Sequence, residues 1–62
     1  MTRKQEIMMA VVANAAADCR EASFIDPSDV KSVKQLAKMG ILKVRKSSEK
    51  LAGFSEYYAT YA

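Results

Sequence analysis

The chain has no histidine and no tryptophan, a single cysteine, a single proline and two glycines among its 62 residues. Each shortage removes a class of chemistry. Without histidine there is no usual general base and no Ser–His or Cys–His nucleophile pair. With Cys19 alone, no disulfide can close within the chain and no thiolate cluster can hold zinc. Gly40 and Gly53 stand too far apart to build a phosphate-cradling loop. Asp18, Glu21, Asp26 and Glu56 are carboxylates that could still serve acid–base catalysis, yet a chain of this size offers little concave volume for a substrate. The expectation is a protein that binds a partner, not an enzyme, with neither metal nor cofactor.

No apolar run has the length of a membrane-spanning helix. Arg3 and Lys4 precede the apolar stretch 7–13, and Ala13-Asn14-Ala15 superficially resembles a leader cleavage site. Glu6 interrupts the start of that stretch, and the stretch is short. Secreted domains of this size usually carry paired cysteines, so a cytoplasmic location is expected. What is present is ordinary globular composition: 50% hydrophobic and 27% charged residues are too apolar a mixture for disorder. A single domain over residues 1–62 follows. A chain so short buries only about 60% of its unfolded surface, so its core is marginal.

Thr2 and Gln5 have the spacing of a capping box and predict a first helix. Ile7, Val11, Ala15 and Cys19 recur every four residues, with Met8, Val12 and Ala16 beside them, which is helical periodicity. The segment 22–25 reads as either a brief strand or an anchoring loop. Asp26-Pro27 is a strong helix start, with aspartate as N-cap and proline in the first helical position. Ser32 and Gln35 then repeat the capping-box spacing. The doubled signal favours a short helical turn over 27–31 followed by a helix over 33–39; one continuous helix from Pro27 is the competing form. Gly40 suits a left-handed C-cap, with Ile41 as the accompanying hydrophobic contact. Leu42-Lys43-Val44-Arg45 alternates apolar and basic, Ser47-Ser48-Glu49-Lys50 reads as a turn, and residues 54–61 are rich in strand formers. These last segments predict an antiparallel hairpin, and the whole an α+β domain.

This order of elements resembles a winged helix-turn-helix domain. The resemblance is carried by the run from Ser32 to Leu42, SVKQLAKMGIL, in which Leu36, Gly40 and Ile41 fill the places of a recognition helix passing into the first wing strand. Phe54 to Thr60 would be the returning strand. The resemblance implies duplex DNA as partner and a role as a small accessory transcriptional regulator. The same fold could also serve as an interaction module, such as a phage or mobile-element protein that binds host transcription machinery.

Charge makes a separate case. Residues 31–50 hold Lys31, Lys34, Lys38, Lys43, Arg45, Lys46 and Lys50 against Glu49 alone, a local balance of +6 within a chain whose net charge is +3. A basic stripe of this kind is the footprint of phosphate contact. Within it, Lys34, Gln35 and Lys38 are candidates to face bases, since glutamine pairs with adenine while lysine suits guanine or phosphate. Lys31 and Ser32 are candidates for phosphate contact at a helix start, and Lys43, Arg45, Lys46 and Lys50 for contact from the wing. Two bland alternatives stand beside these roles: lysines often form no more than a solvated helix face, and Gln35 could simply close the capping box with Ser32.

Ile7, Val11, Phe24, Val33, Leu36, Leu42 and Phe54 form the candidate core. That leaves Met8, Met9 and Val12 on an apolar arc wider than a surface helix needs, marking them as a candidate homodimer interface, unless the hairpin aromatics cover them within one chain. A twofold pair would present two recognition helices to two half-sites. Tyr57, Tyr58 and Tyr61 are expected to pack their rings on the helices, with stacking on single-stranded bases as the alternative. Cys19 is expected to be a small buried hydrophobe.

Overall fold

In the computed structural model, which describes residues 1–51 and 53–62 (backbone only at Glu49 and Leu51), five elements follow one another: α1 (Arg3–Ala17), β1 (Ala22–Phe24), α2 (Pro27–Lys38), β2 (Leu42–Leu51) and β3 (Phe54–Tyr61). The class is α+β: two helices and one antiparallel sheet with strand order β1-β3-β2.

The capping box that opens α1 is formed. Thr2 accepts the Gln5 amide proton on its hydroxyl at 3.1 Å, and the Thr2 amide donates to the Gln5 side chain at 2.9 Å. At the far end Arg20 N–H donates to the Ala15 carbonyl and Cys19 N–H to the Ala16 carbonyl, closing the last turn with Cys19 at φ 56°. This is the closure that glycine usually makes, because a Cβ in the left-handed region is strained. Cys19 is therefore exposed at a helix terminus, not buried.

The buried stripe of α1 also differs from the expectation. Met8 (4% exposed) and Val12 (1%) lie in the core with Ala15, whereas Ile7 (46%) and Val11 (38%) face outward. Met9 packs half-buried against the same core. With apolar residues spread over so wide an arc, periodicity is satisfied by either of two adjacent stripes, and contact with α2 and the sheet selects the second. Met8 and Val12 consequently have no side-chain surface left for a second subunit. Phe54, expected inside, is 49% exposed.

Asp26 caps α2 by accepting the Ser28 amide at 2.8 Å, with Pro27 in the first turn. The helix then continues to Lys38 without a break, so the turn-plus-helix form is corrected to a single helix. Ser32, read as a second N-cap, is buried within it and donates its hydroxyl to the Ser28 carbonyl at 3.3 Å. Such a bond to the preceding turn satisfies a mid-helix serine. Val30, Val33 and Leu36 stay on one buried stripe across it. Gly40 stops the helix at φ 78°: its N–H donates to the Ala37 carbonyl and Ile41 N–H to the Leu36 carbonyl.

The hairpin is longer than its sequence suggests. Strand β2 runs through Ser47-Ser48-Glu49-Lys50, read as a turn, and a register shift between Lys46 and Lys50 absorbs the misfit with β3. Pairing of Lys46 with Tyr57 and of Lys50 with Ser55 anchors the strand on either side of that shift. Ala59 pairs with Ala22 on one side and Val44 on the other, and this row of small side chains lets the helices lie close on the sheet. Among the described residues, no helix is long and apolar enough to cross a membrane.

Candidate functional site

Side chains along β2 and β3 alternate between a face covered by the helices and an open face. Leu42 and Ala59, both buried, belong to the covered face, and Val44 packs partly buried against the same core. Lys43, Arg45, Tyr58 and Thr60 alternate with them and belong to the open one.

Arg45, Glu21 and Glu56 on the open face are partnered within it. The Arg45 guanidinium donates to both oxygens of Glu21, at 2.7 and 3.1 Å, and lies 4.4 Å from the centre of the Tyr58 ring. The Tyr58 hydroxyl donates to Glu56 at 2.8 Å, and the Ser23 hydroxyl donates to the other oxygen of the same carboxylate. Hydrogen bonds from Arg45 hold the Glu21 carboxyl below its ordinary range, and those from Ser23 and then Tyr58 do the same for Glu56. The bond to Glu56 pushes the Tyr58 phenol upward. Arg45, expected to be a phosphate contact on the wing, is thus held by Glu21 on the side of the sheet away from α2. Lys43, opposite Thr60, shares that side.

Between α2 and β3 lies an open groove of about 530 Å³. Lys31, Lys34, Gln35 and Lys38 line it from α2; Ile25, Pro27, Val30 and Phe54 make its apolar floor; Ser55 and Tyr57 line it from the hairpin. The Lys34 ammonium donates to the Tyr57 hydroxyl at 3.4 Å and stands 4.5 Å from the centre of its ring, joining the two walls. Lys46 pairs across from Tyr57 and Lys50 across from Ser55, so both arise on the groove side of the hairpin, since cross-strand partners share a face. Among the described residues Lys31, Lys34, Lys38, Lys46 and Lys50 make no ion pair; Asp29, the acid within α2, is engaged by Lys4. That bond raises the Lys4 ammonium above its ordinary value.

The structure therefore divides the residues expected to form the site. Lys31, Lys34, Gln35 and Lys38 line one groove, and Lys46 and Lys50 lie on the face of the hairpin that carries Tyr57 and Ser55. Lys43 and Arg45 do not join them. Ser32 is buried in mid-helix and offers no helix-start contact. Gln35 does not close a box with Ser32; its side-chain oxygen accepts a hydrogen bond from the Gln5 side-chain amide of α1 at 3.2 Å. The three tyrosines part company: Tyr57 packs on the core side, Tyr58 on the open face, and Tyr61 is exposed. Sequence reasoning missed the groove floor, where Ile25 and Phe54 remain 41% and 49% exposed. The one local signal was Gly53 beside Phe54, which marks the ring as sitting near a hairpin turn. Comparison with protein-family models, with curated proteins and with solved structures yields no match.

Proposed function

We propose that this chain is a small DNA-binding accessory regulator of transcription, holding the phosphate backbone of DNA on the lysines of α2 and the β2–β3 hairpin. The observation that supports this reading is that Lys31, Lys34 and Lys38 line the groove and Lys46 and Lys50 stand on the hairpin face that lines it, with no acid paired to any of them among the described residues. Each phosphate neutralised by such a lysine releases condensed counterions, so binding is driven by the entropy of those ions. On the winged-helix reading, α2 serves as the recognition helix and the hairpin as the wing. A labelled random-sequence duplex titrated over a series of salt concentrations tests it. The expected plot of log K against log salt has a slope of about −4 to −5 if all five lysines engage. Absence of binding in low salt overturns the proposal.

A second reading, a module that binds a protein of the transcription machinery, is favoured by the apolar floor formed by Ile25, Pro27 and Phe54, for which phosphate has no use.

A further inference from the structure

Phosphate contacts use the rim of the groove and leave its floor unexplained. Ile25 and Phe54 are large apolar side chains, each about half exposed, directly beside three lysines. The Tyr57 ring already carries the Lys34 ammonium, so the aromatic surface still open in the groove is that of Phe54. A matching ligand is anionic along one edge and flat and apolar inside. A nucleotide has that form, but in a perfect duplex the faces of the bases are hidden in the stack. An unpaired nucleotide exposes them, and aromatic side chains beneath a cationic rim are the usual means of holding such a strand. The groove volume of about 530 Å³ is in the range of a pocket for one small ligand, far below what a duplex would occupy.

We propose that the groove receives an unstacked nucleobase, laid on Phe54 and against Ile25, from a DNA strand whose phosphates lie on Lys31, Lys34 and Lys38. The preferred ligand is then DNA with unpaired nucleotides. This rests on the DNA-binding reading above and narrows it. An acidic peptide with aliphatic anchors would use the same rim and floor but would gain nothing from a flat aromatic face in particular.

The test compares three labelled oligonucleotides of equal length at one salt concentration: a perfect duplex, the same duplex with a three-nucleotide internal gap, and a single strand. The gapped and single-stranded forms are expected to bind roughly 10-fold tighter than the perfect duplex, as one stacked base implies. Phe54→Leu, which keeps apolar volume without the ring face, should erase that preference while leaving duplex affinity and its salt slope unchanged. Phe54→Trp should restore it. Circular dichroism checks that both variants are folded, and Ile25→Ser provides an independent probe of the same floor. Equal affinity for all three DNAs, or a preference that survives Phe54→Leu, overturns the inference while the DNA-binding reading stands. If no DNA binds in low salt, both fail. Displacement of bound single strand by an acidic aliphatic peptide that is insensitive to Phe54→Leu would assign the floor to a protein partner and also overturn it.

Discussion

The two faces of the sheet differ in how they treat charge, although the same strands build both. On the open face, among the described residues, Arg45 is bound by Glu21, and Glu56 accepts hydrogen bonds from the Ser23 and Tyr58 hydroxyls. On the other side, Lys31, Lys34 and Lys38 of α2 and Lys46 and Lys50 of the groove-side hairpin face are not ion-paired among the described residues. Like charges gathered without counter-charges repel one another and weaken a marginal fold, whereas exposed ion pairs on the other face contribute little to it. Apart from the Lys34 contact with Tyr57, these lysines have no partner among the described residues that would offset their mutual repulsion, which is the charge arrangement the proposed DNA contact requires.

The comparison can be broken most directly by removing equal charge from each face. Lys34→Gln with Lys38→Gln takes two positive charges from the groove side; Lys43→Gln with Arg45→Gln takes two from the open side. Both variants have the same net charge, so a general field effect would weaken DNA binding equally. The groove-side pair is expected to lower duplex affinity on the order of 100-fold in low salt and to make the salt slope shallower by about two, against a change of a few-fold for the open-side pair. Fluorescence anisotropy across a salt series measures both. Equal losses would mean that the two faces do not differ as binding surfaces.

A second contrast uses neighbouring residues of β3. Ala59 is 1% exposed between Ala22 and Val44 under the helices, whereas Thr60 points to the open face opposite Lys43. Ala59→Leu forces added volume into a packed row and is expected to cost about 1–3 kcal/mol. Thr60→Val keeps shape and strand propensity, and its effect should stay within about 0.5 kcal/mol. Urea denaturation resolves the two. A tolerant Ala59 would show that the helices do not press on the sheet at that row.

What the sequence discloses about these faces depends on how local each signal is. The Thr2–Gln5 capping box, the Asp26-Pro27 start and the Gly40 stop are each made by atoms within a few residues, and each stands in the structure as the sequence implies. Ser32 misled because a hydroxyl bonded back to Ser28 inside a helix and one capping a helix start carry the same local sequence. The choice between the Ile7–Val11 and Met8–Val12 stripes of α1 is made by packing against α2 and the sheet, of which an all-apolar helix surface gives no sign. Arg45 belongs to the same basic run as Lys46, yet strand alternation sends the two to opposite faces, and Glu21, far away in sequence, claims the first of them. The groove floor depends on β1 and β3 meeting as neighbours, so Phe54 was legible only as one more apolar residue.

The smallest expected effect is the pH dependence of the open face. Glu21 and Glu56 have folded-state pKa values below the ordinary 4.5 because Arg45, Ser23 and Tyr58 hydrogen-bond their charged forms. A carboxyl whose pKa is lowered on folding binds fewer protons folded than unfolded, so its contribution to stability is complete above the unfolded value and is lost as pH falls through the folded one. Both groups are solvent-exposed, and screening keeps the contribution small. A decline in melting temperature between neutral pH and a pH below 4.5 is therefore expected to originate in part in these two carboxylates. Glu21→Gln with Glu56→Gln is expected to flatten that decline while leaving DNA affinity at neutral pH within a few-fold of the parent. Thermal melts of both proteins across the range, followed by circular dichroism, give the comparison. A decline of equal size in the double variant would place the acid sensitivity outside these two carboxylates.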